Sequence, residues 1–411
     1  MTNTAHDILI LGAGPSGLST ALHLAQHYRH LTSRILILEK AHHPRPKLCA
    51  GGLVLDVEVI LERLGLDVCE VPHVDVERTH FDFAGKGLSL RNPIRQTLRV
   101  IRRNEFDAWL MKKAQSRGIE IRQGITVKNI LPNSDSVTVE TDAGTFCAQI
   151  VVGADGSNGI TRRCVLPDAP VHTARVLEVL TPTYPPKPPP PSAPPPNTIP
   201  KSELTVDVPI SYLGEAGRGL DAYFDFFPVP ANIAGYVWDF PTQVNGEPMR
   251  CWGVYDTNLL ANEKRPQLRD PLAAEMARHG FKLDEYEIKG HPIRWYDPSN
   301  PIAVPRVLLV GDAAGADPVF GEGISIALGY GAIAAREIGE SIRRDDFSFS
   351  EYKRRFARSG LGQTLFVRWL ITQVLYTFKW RWFQIFLWRM LKPVVGIAGW
   401  LFVLNWSKRI H

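Results

Sequence analysis

The chain has 411 residues, more than one hydrophobic core usually organises, so its length predicts two domains or one domain with large insertions and excludes a small binding module. Hydrophobic residues make up 45% and charged residues 22%, which excludes a disordered or collagen-like chain. The net charge of +5 is unevenly distributed, because residues 361–411 contain seven Lys or Arg and no Asp or Glu. We therefore expect one localised anionic partner surface and no nucleic-acid partner.

The cysteines indicate the compartment. They number five, include no C-x-x-C pair and are scattered, which favours a reducing compartment over a disulfide framework. No secretory signal opens the chain, so we expect a cytoplasmic protein. No metal site is predicted, and His23, His27 and His30 are interpreted as surface positions of the first helix.

The first 39 residues predict a βαβ unit. His6–Leu11 is a short apolar run typical of a strand, and Leu18–Tyr28 spaces its apolar residues as a helix does. A second apolar run, Arg34–Leu38, indicates the next strand. A glycine-rich turn joins the first strand to the helix.

That turn contains Gly12, Gly14 and Gly17 in a G-x-G-x-x-G motif. The first glycine permits a tight turn, the second lets the backbone approach a pyrophosphate, and the third allows close helix packing. Glu39 ends the second strand, where a carboxylate accepts hydrogen bonds from ribose hydroxyls. An acidic residue here disfavours a 2′-phosphate, so the site suits FAD or NAD better than NADP.

Elements that belong beside this unit recur much later in the chain. Strands are predicted within residues 119–130, 136–140, 145–152 and 307–310, and a glycine-rich helix from about 323 to 342. The nucleotide-binding domain is therefore predicted to be discontinuous, with a second domain inserted between about Leu166 and Asp297.

Residues 181–200 contain 11 of the 32 prolines. Proline lacks the backbone donor and the torsional freedom that helices and sheets need, so the segment is predicted to be an exposed polyproline loop. It is either a solvated insertion or a ligand for an aromatic groove of a partner.

Two later segments decide between FAD and NAD. Residues 152–163 read VGADGSNGITRR, and residues 307–323 read VLLVGDAAGADPVFGEG, so each runs from a strand into a Gly/Asp turn. Asp312 is placed to reach a ribityl or pyrophosphate group. With Arg103 in RRNEFDAWL, these segments resemble the motif set of FAD-dependent oxidoreductases with the p-hydroxybenzoate hydroxylase fold. No second G-x-G-x-x-G provides a dedicated NAD(P)H domain.

Two further stretches resemble the geranylgeranyl reductase family within that superfamily. Residues 44–52 read PRPKLCAGG, similar to its P-x-x-K-x-C-G-G loop, and residues 236–241 read YVWDFP, which matches its Y-x-W-x-F-P motif. GDAAG and GEGI extend the resemblance over most of residues 6–345. The chain departs from the family in Ala50, which follows the cysteine, and in the polyproline insertion.

This resemblance implies an α/β (α+β) fold: a Rossmann-like FAD-binding domain, an inserted antiparallel-sheet substrate domain and a helical C-terminal region. The expected divisions are FAD-binding segments 1–75, 95–165 and 298–345, substrate-domain segments 76–94 and 166–297, and a helical, membrane-associating region 346–411.

The resemblance also implies the site residues. The candidate catalytic residues are Cys49, Lys47 and Glu322. The expected cofactor-binding residues are Gly12, Gly14, Gly17, Glu39, Arg103, Asp155, Gly311, Asp312, Gly321, Gly323 and Ile324. The expected substrate-binding residues are Tyr236, Trp238, Phe240 and Pro241.

The aromatic residues can also be interpreted directly. In a strand, Tyr236, Trp238 and Phe240 project to one face, and residues 222–227 can pair with them as a hairpin partner. The resulting aromatic face either packs the core or forms a ligand wall. An adjacent flavin favours a long apolar cavity for an isoprenoid.

The implied function is FAD-dependent reduction of carbon–carbon double bonds in a geranylgeranyl or other prenyl chain by hydride transfer from reduced flavin. A chlorophyll-type ester, a diphosphate, a lipid and a quinone all remain possible substrates. The expected reductant is NAD(P)H or reduced ferredoxin, the latter an electron-donor protein. The alternatives are a flavin-dependent monooxygenase or halogenase, and a non-catalytic prenyl-binding carrier.

The C-terminal residues 361–411 interleave six of the ten tryptophans with cations. Aromatic rings with Lys and Arg favour a lipid interface, but no window is long and uncharged enough for a confident span. We expect peripheral or monotopic membrane association, with a helical hairpin dipping into the bilayer and a buried core helix pair as alternatives. Because every flavin motif precedes Gly360, removal of this segment is expected to leave FAD bound.

Overall fold

The computed structural model describes residues 6–92, 94–167, 172–183, 219–259, 266–399 and 405–409. The strands are β1 (His6–Leu11), β2 (Ile35–Glu39), β3 (Gly52–Leu53), β4 (His73–Val76), β5 (Arg78–Asp82), β6 (Gly87–Arg91), β7 (Leu98–Ile101), β8 (Glu120–Gln123), β9 (Val127–Pro132), β10 (Val137–Thr141), β11 (Gly144–Gly153), β12 (Thr173–Pro182), β13 (Ala222–Asp225), β14 (Gly235–Val244), β15 (Glu247–Asp256), β16 (Lys289–Arg294), β17 (Ala303–Val304) and β18 (Val307–Leu309).

The helices are α1 (Pro15–His27), α2 (Leu55–Arg63), α3 (Arg103–Ser116), α4 (Thr161–Val165), α5 (Arg269–Arg278), α6 (Ile324–Arg344), α7 (Tyr352–Arg358), α8 (Gly360–Thr377), α9 (Arg381–Ile385) and α10 (Lys392–Ala398). A π-helical turn, Phe386–Met390, connects α9 to α10.

The first sheet has the order β17-β18-β11-β1-β2-β8, and β10 and β9 extend it from β11. Strand β1 pairs in parallel with both β2 and β11, so Leu11 lies between Leu38 and Gly153. The carboxyl ends of these strands therefore meet at one edge, where open α/β sheets bind ligands. Residues 8–11 of β1 and 35–38 of β2 are apolar and buried, as parallel strands covered on both faces require.

Helices α1 and α6 pack together against this sheet. Their approach depends on small residues, because a Cβ placed on Gly331 would lie 2.5 Å from the Ser19 hydroxyl. The predicted βαβ unit is confirmed, and α6 is the predicted glycine-rich helix.

The second sheet has the order β16-β12-β15-β14-β13-β5-β6. Its pairs are antiparallel except β13 with β5. The expected aromatic hairpin partner is present, because Phe224 lies opposite Trp238. Strands from residues 78–91, 173–182, 222–256 and 289–294 thus share one sheet. The mixed α/β fold is confirmed, whereas the boundaries of the domains stay a prediction.

Three local predictions need correction. His23 is buried in α1, not on the surface, and burial lowers the pKa of its imidazole to about 3. The apolar stretch 119–130 is two strands, separated where Gly124 takes a φ of +76°. Thr181 and Pro182 end β12, and residues 184–200 of the predicted polyproline loop lie outside the described residues.

The C-terminal helices bury some of their side chains in the core and expose the others to the surface. One face of α8 is buried and includes Leu361, Leu365, Arg368 and Tyr376. Trp388 of the π-helical turn is buried as well. Arg368 of α8 contacts Asp317 and Glu322 in the loop that precedes α6, so this segment is not separate from that loop. The retention of FAD after its removal stays a prediction. Among the described residues, no helix is long and apolar enough to cross a membrane.

Candidate active site

A cavity of about 1980 Å³ lies between the carboxyl edge of the parallel sheet, one face of the antiparallel sheet and the C-terminal helices. Pockets for drug-sized ligands measure about 300–1,000 Å³, so this space exceeds what one such ligand fills. Glycine-rich turns and charged side chains surround one end. Aromatic and aliphatic side chains surround the other.

The glycine-rich turn after β1 borders the polar end. Gly12 has a φ of +112°, and an added Cβ would lie 2.4 Å from the Ala154 carbonyl oxygen. A Cβ on Gly17 would lie 2.1 Å from the Gly12 oxygen, so Gly17 serves the packing of α1 and does not line the cavity. By contrast, a Cβ on Gly14 would meet only an Arg45 nitrogen, at 3.8 Å. Gly14 therefore leaves open space on the cavity side, as backbone approach by a pyrophosphate requires.

Glu39 closes this turn from the end of β2. Its carboxylate accepts hydrogen bonds from the backbone N–H groups of Ala13 at 2.7 Å and Ala41 at 3.0 Å. A carboxylate has about four acceptor positions, so capacity remains for ribose hydroxyls. Glu39 thus lies where the sequence predicts it and also orders the turn.

Arg103 borders the cavity at the start of α3. Its guanidinium donates two hydrogen bonds to Asp107, at 2.8 and 2.9 Å, and Arg45 approaches the same carboxylate at 3.4 Å. Arg45 also lies 3.8 Å from the Glu39 carboxylate, so two arginines face two acids here. Guanidinium N–H groups suit the phosphates of a dinucleotide.

The two aspartates predicted at strand ends have different roles. Asp155 accepts hydrogen bonds from the backbone and the hydroxyl of Thr161, at 2.9 and 2.8 Å, and therefore orders the turn into α4. Asp312 lines the cavity and is contacted by the Ser157 hydroxyl at 3.4 Å. Gly311, in contrast, lies behind the wall, because its Cβ position faces Ser16.

Residues 317–323 form the loop between the parallel sheet and α6, and we call them the pre-α6 loop. Gly321, Glu322 and Gly323 line the cavity together with Ile324. Three tyrosine hydroxyls from three elements donate to successive carbonyls of this loop. These bonds are Tyr255 to Pro318 at 3.0 Å, Tyr376 to Val319 at 2.7 Å and Tyr236 to Phe320 at 2.5 Å.

Arg368 of α8 anchors the same loop. It is only 1% exposed, and its Nη1 lies 2.8 Å from both Asp317 Oδ2 and Glu322 Oε2. Glu322 also accepts a hydrogen bond from Ser325. Because its charge is paired, Glu322 positions the loop and does not offer a free carboxyl to a substrate.

Lys47 and Cys49 both line the cavity. Lys47 Nζ lies 2.8 Å from His291 Nε2, which projects from β16. Burial lowers the pKa of Lys47, and burial together with the Lys47 charge lowers the pKa of His291 to about 4. The imidazole is therefore neutral near pH 7 and accepts the hydrogen bond from Lys47.

The apolar end has the predicted aromatic wall. Tyr236, Trp238 and Phe240 line the cavity, with the Phe224 ring 5.0 Å from Phe240 and 5.1 Å from Tyr236. Pro241 is the exception, because it borders a separate, smaller cavity. The C-terminal helices complete the wall with Leu370, Ile371, Val374, Leu375, Phe383, Leu387, Trp388 and Val395.

Three polar residues of the site were not predicted. His291 and Arg368 gave no sequence signal, because their partners lie far away along the chain. Glu178 is a lone acid in the apolar strand β12, and that isolation was the available signal. It lines the cavity, and burial raises the pKa of its carboxyl to about 7.

The polar end fits FAD. The open backbone at Gly14, the remaining acceptor capacity of Glu39 and the paired arginines correspond to pyrophosphate and ribose groups. Lys47, Asp312 and the pre-α6 loop surround the space between this end and the aromatic wall.

Comparison with known proteins agrees with this geometry. Residues 5–190 match the FAD binding domain family. An uncharacterized protein of Methanosarcina barkeri is 27% identical over 354 residues, which cover 86% of this chain and 79% of that protein. The menaquinone reductase of Mycolicibacterium smegmatis is 26% identical over 355 residues, covering 81% of this chain and 76% of the reductase.

Solved structures share the fold. A geranylgeranyl bacteriochlorophyll reductase-like protein of Thermoplasma acidophilum superposes with a TM-score of 0.72 at 18% identity, covering 98% of this chain and 95% of that one. The flavin-dependent halogenase CmlS gives 0.60 at 20% identity, covering 90% and 66%. The chain thus has the fold of FAD-dependent oxidoreductases, and the match of residues 5–190 to an FAD binding domain supports FAD as the cofactor. Its resemblance to the geranylgeranyl reductases is confirmed at the level of fold.

Proposed function

We propose that this protein reduces carbon–carbon double bonds of a prenyl chain, geranylgeranyl or another isoprenoid. The observation that carries the proposal is the continuity of the cavity, in which the FAD end opens directly into a long aromatic and aliphatic space. Burial of an apolar chain there is favourable by about 25 cal/mol for each Å² removed from water. The prenyl chain can carry an ester, a diphosphate, a lipid or a quinone as its polar head.

Bound FAD supplies two-electron redox chemistry, which none of the side chains provides. The chain's own residues bind the substrate and exclude water from the reacting bond. Tyr236, Trp238 and Phe240 hold the prenyl chain, and the pre-α6 loop separates it from the protein interior. Cys49 and the Lys47–His291 pair line the cavity and are proposed to assist proton supply.

The electrons are proposed to come from NAD(P)H or reduced ferredoxin, docked transiently, because the sequence contains one G-x-G-x-x-G motif. Mixing the oxidised protein anaerobically with each donor and following the flavin absorbance identifies the reductant.

A second candidate function is halogenation or another monooxygenation, because halogenases share this fold. Such enzymes consume oxygen. Oxygen uptake that depends on substrate and yields a halogenated or hydroxylated product supports this second function. Anaerobic reoxidation of the reduced flavin by geranylgeraniol, in the absence of oxygen and halide, supports prenyl reduction instead.

Trp238→Ala is expected to change which prenyl chains are reduced while FAD stays bound. The Trp238 ring lies over Gly253, whose added Cβ would be 2.0 Å from the ring, so the indole occupies a fixed part of the wall. Removal of the indole enlarges the apolar end of the cavity. Longer or bulkier prenyl chains should then make up a larger share of the reduced products than they do with the wild type. Product analysis over a series of chain lengths measures the change. Pro241→Ala is the control, since Pro241 lies outside this cavity, and an unchanged profile for Trp238→Ala assigns the indole to core packing.

The C-terminal helices are further proposed to rest on a membrane surface. Among the described residues, ten of the thirteen exposed large hydrophobic side chains lie between Phe366 and Ile397. On α8 the exposed face contains Phe366, Leu370 and Val374, whereas the buried face contains Arg368. This reverses the usual amphipathic arrangement of a surface helix.

Charge favours an anionic lipid bilayer as the partner. Residues 361–411 contain no acid, and Arg381, Lys392, Lys408 and Arg409 are exposed. A cation near an anionic leaflet contributes on the order of 1 kcal/mol. Leu370 and Val374 are exposed and also line the cavity, so α8 borders both the surface and the cavity, and a prenyl chain is proposed to enter beside it from the bilayer.

The paired change Trp380→Ser and Trp382→Ser is expected to weaken vesicle binding at least tenfold. Both rings are exposed, by 55% and 64%, and their apolar surface is lost from the interface. Co-sedimentation with phosphatidylcholine vesicles containing phosphatidylglycerol measures the effect. Leu131→Ser, at an exposed position on β9, is the matched control. Equal binding by all three proteins, or no binding by the wild type, contradicts the membrane proposal.

A further inference from the structure

Glu178 lines the cavity at one end of a row of residues that crosses the substrate wall. Across the antiparallel sheet, Glu178 pairs with Gly253, Gly253 with Trp238, and Trp238 with Phe224. Directly opposed residues share a sheet face, so this row places one carboxyl beside the aromatic side chains. Because Gly253 has no Cβ, the Trp238 ring lies over Gly253. Gly253 is the residue that separates Trp238 from Glu178 in this row.

The carboxyl of Glu178 is buried and faces the cavity. The residue is only 4% exposed, and within the described part of the chain its Oε2 has no hydrogen-bond partner. An ionised carboxylate without a compensating partner is costly in such a place, so the neutral acid is favoured.

The charged neighbours do not reverse this preference. Arg102 before α3, Lys289 on β16 and the Cys49 backbone all favour the ionised form, but burial outweighs them and raises the pKa of Glu178 to about 7. Cys251 on the adjacent strand is buried, and its thiol pKa is raised well above the usual value by burial and by Glu178. The Cys251 thiol therefore carries its proton at neutral pH, and the Glu178 carboxyl keeps its proton up to about pH 7.

We infer that Glu178 is the catalytic acid that protonates the prenyl double bond. The inference rests on the proposed function, since an isolated alkene accepts two electrons only if a proton reaches one of its carbons. The O–H bond of Glu178 breaks and a C–H bond forms at that carbon. The electron pair and the second hydrogen come from the reduced flavin, which is oxidised. The resulting Glu178 carboxylate regains a proton from solvent before the next turnover.

Glu178→Gln is expected to slow alkene reduction about a hundredfold or more, the usual contribution of a general acid. Single-turnover mixing of photoreduced protein with geranylgeraniol measures the rate. The wild-type rate should fall as pH rises above about 7, because only the protonated acid is active, and the Gln variant should show no such fall. Glu178→Asp keeps the carboxyl and should retain part of the rate and the pH dependence.

Two further measurements separate this role from a structural one. Reoxidation of the reduced flavin by ferricyanide needs no proton at carbon and should be equal in wild type and Glu178→Gln. Infrared titration of the protein should show a protonated carboxyl band that disappears near pH 7 in the wild type and is missing from the variant. If Glu178→Gln has the rate and pH profile of the wild type, the assignment of Glu178 as the acid is overturned and the proposed function is not. Wild-type protein that reduces no prenyl alkene overturns the proposed function, and the role of Glu178 with it.

Discussion

Replacing Arg368 with methionine is expected to destabilise the protein by about 3–5 kcal/mol, the usual cost of leaving buried charges without their partner. Asp317 and Glu322 would then face each other in the interior. Their repulsion and their desolvation both oppose the folded arrangement of the pre-α6 loop. Urea denaturation followed by fluorescence measures the loss, and flavin content reports whether the loop still supports the FAD site.

The pH dependence of this variant has a definite sign. Without Arg368, burial and the neighbouring carboxylate raise the pKa of Asp317 further above its ordinary value. A raised folded-state pKa gives stability that is present at low pH and lost as pH rises through that value. Arg368→Met should therefore recover part of its stability on acidification. The triple variant Arg368→Met, Asp317→Asn, Glu322→Gln removes the charges together and should be closer to wild type, and a single variant as stable as wild type contradicts the anchoring role.

Gly14→Val is expected to lower FAD affinity about a hundredfold, roughly 2.8 kcal/mol, while the apoprotein remains folded. The added Cβ has its nearest protein atom, an Arg45 nitrogen, at 3.8 Å on the cavity side, so we expect the side chain to compete with the cofactor and not with the fold. Titration of apoprotein with FAD measures the affinity, and thermal unfolding of the apoprotein measures the fold.

Gly17→Ala provides the contrasting control within the same motif. Alanine in a helix usually gains up to about 1 kcal/mol over glycine. Here the added Cβ would lie 2.1 Å from the Gly12 carbonyl oxygen, a backbone atom that cannot move aside. Gly17→Ala should therefore destabilise the apoprotein itself. If Gly14→Val unfolds the apoprotein as much, or leaves FAD affinity unchanged, the assignment of Gly14 to the pyrophosphate site is wrong.

The polar end of the site was predictable because its chemistry is local in sequence. Gly12, Gly14, Gly17 and Glu39 all belong to one βαβ unit, where spacing fixes the geometry. The aromatic wall was predictable for the same reason, since alternate residues of one strand share a face. Pro241 directly follows Phe240, so the same alternation places it on the opposite face, outside the cavity.

The remaining features depend on contacts between distant parts of the chain. Arg368 is 51 residues from Asp317, and no local pattern indicates that a cation on an apolar helix is buried against that loop. The sequence predicts that the seven cations of residues 361–411 favour a lipid interface, but Arg368 faces the protein interior. Glu178 is notable in the sequence only as a lone acid in an apolar strand, and its place in the site depends on its neighbours across two strands.

The central claim is that the FAD end of the cavity reduces a prenyl double bond held at its aromatic end. Anaerobic photoreduction of the purified protein, followed by addition of geranylgeraniol and mass analysis of the recovered isoprenoid, tests it most directly. The account predicts products that have gained two hydrogen atoms for each reduced bond, in amounts that match the flavin reoxidised. Recovery of unchanged geranylgeraniol, with the flavin still reduced, would contradict it.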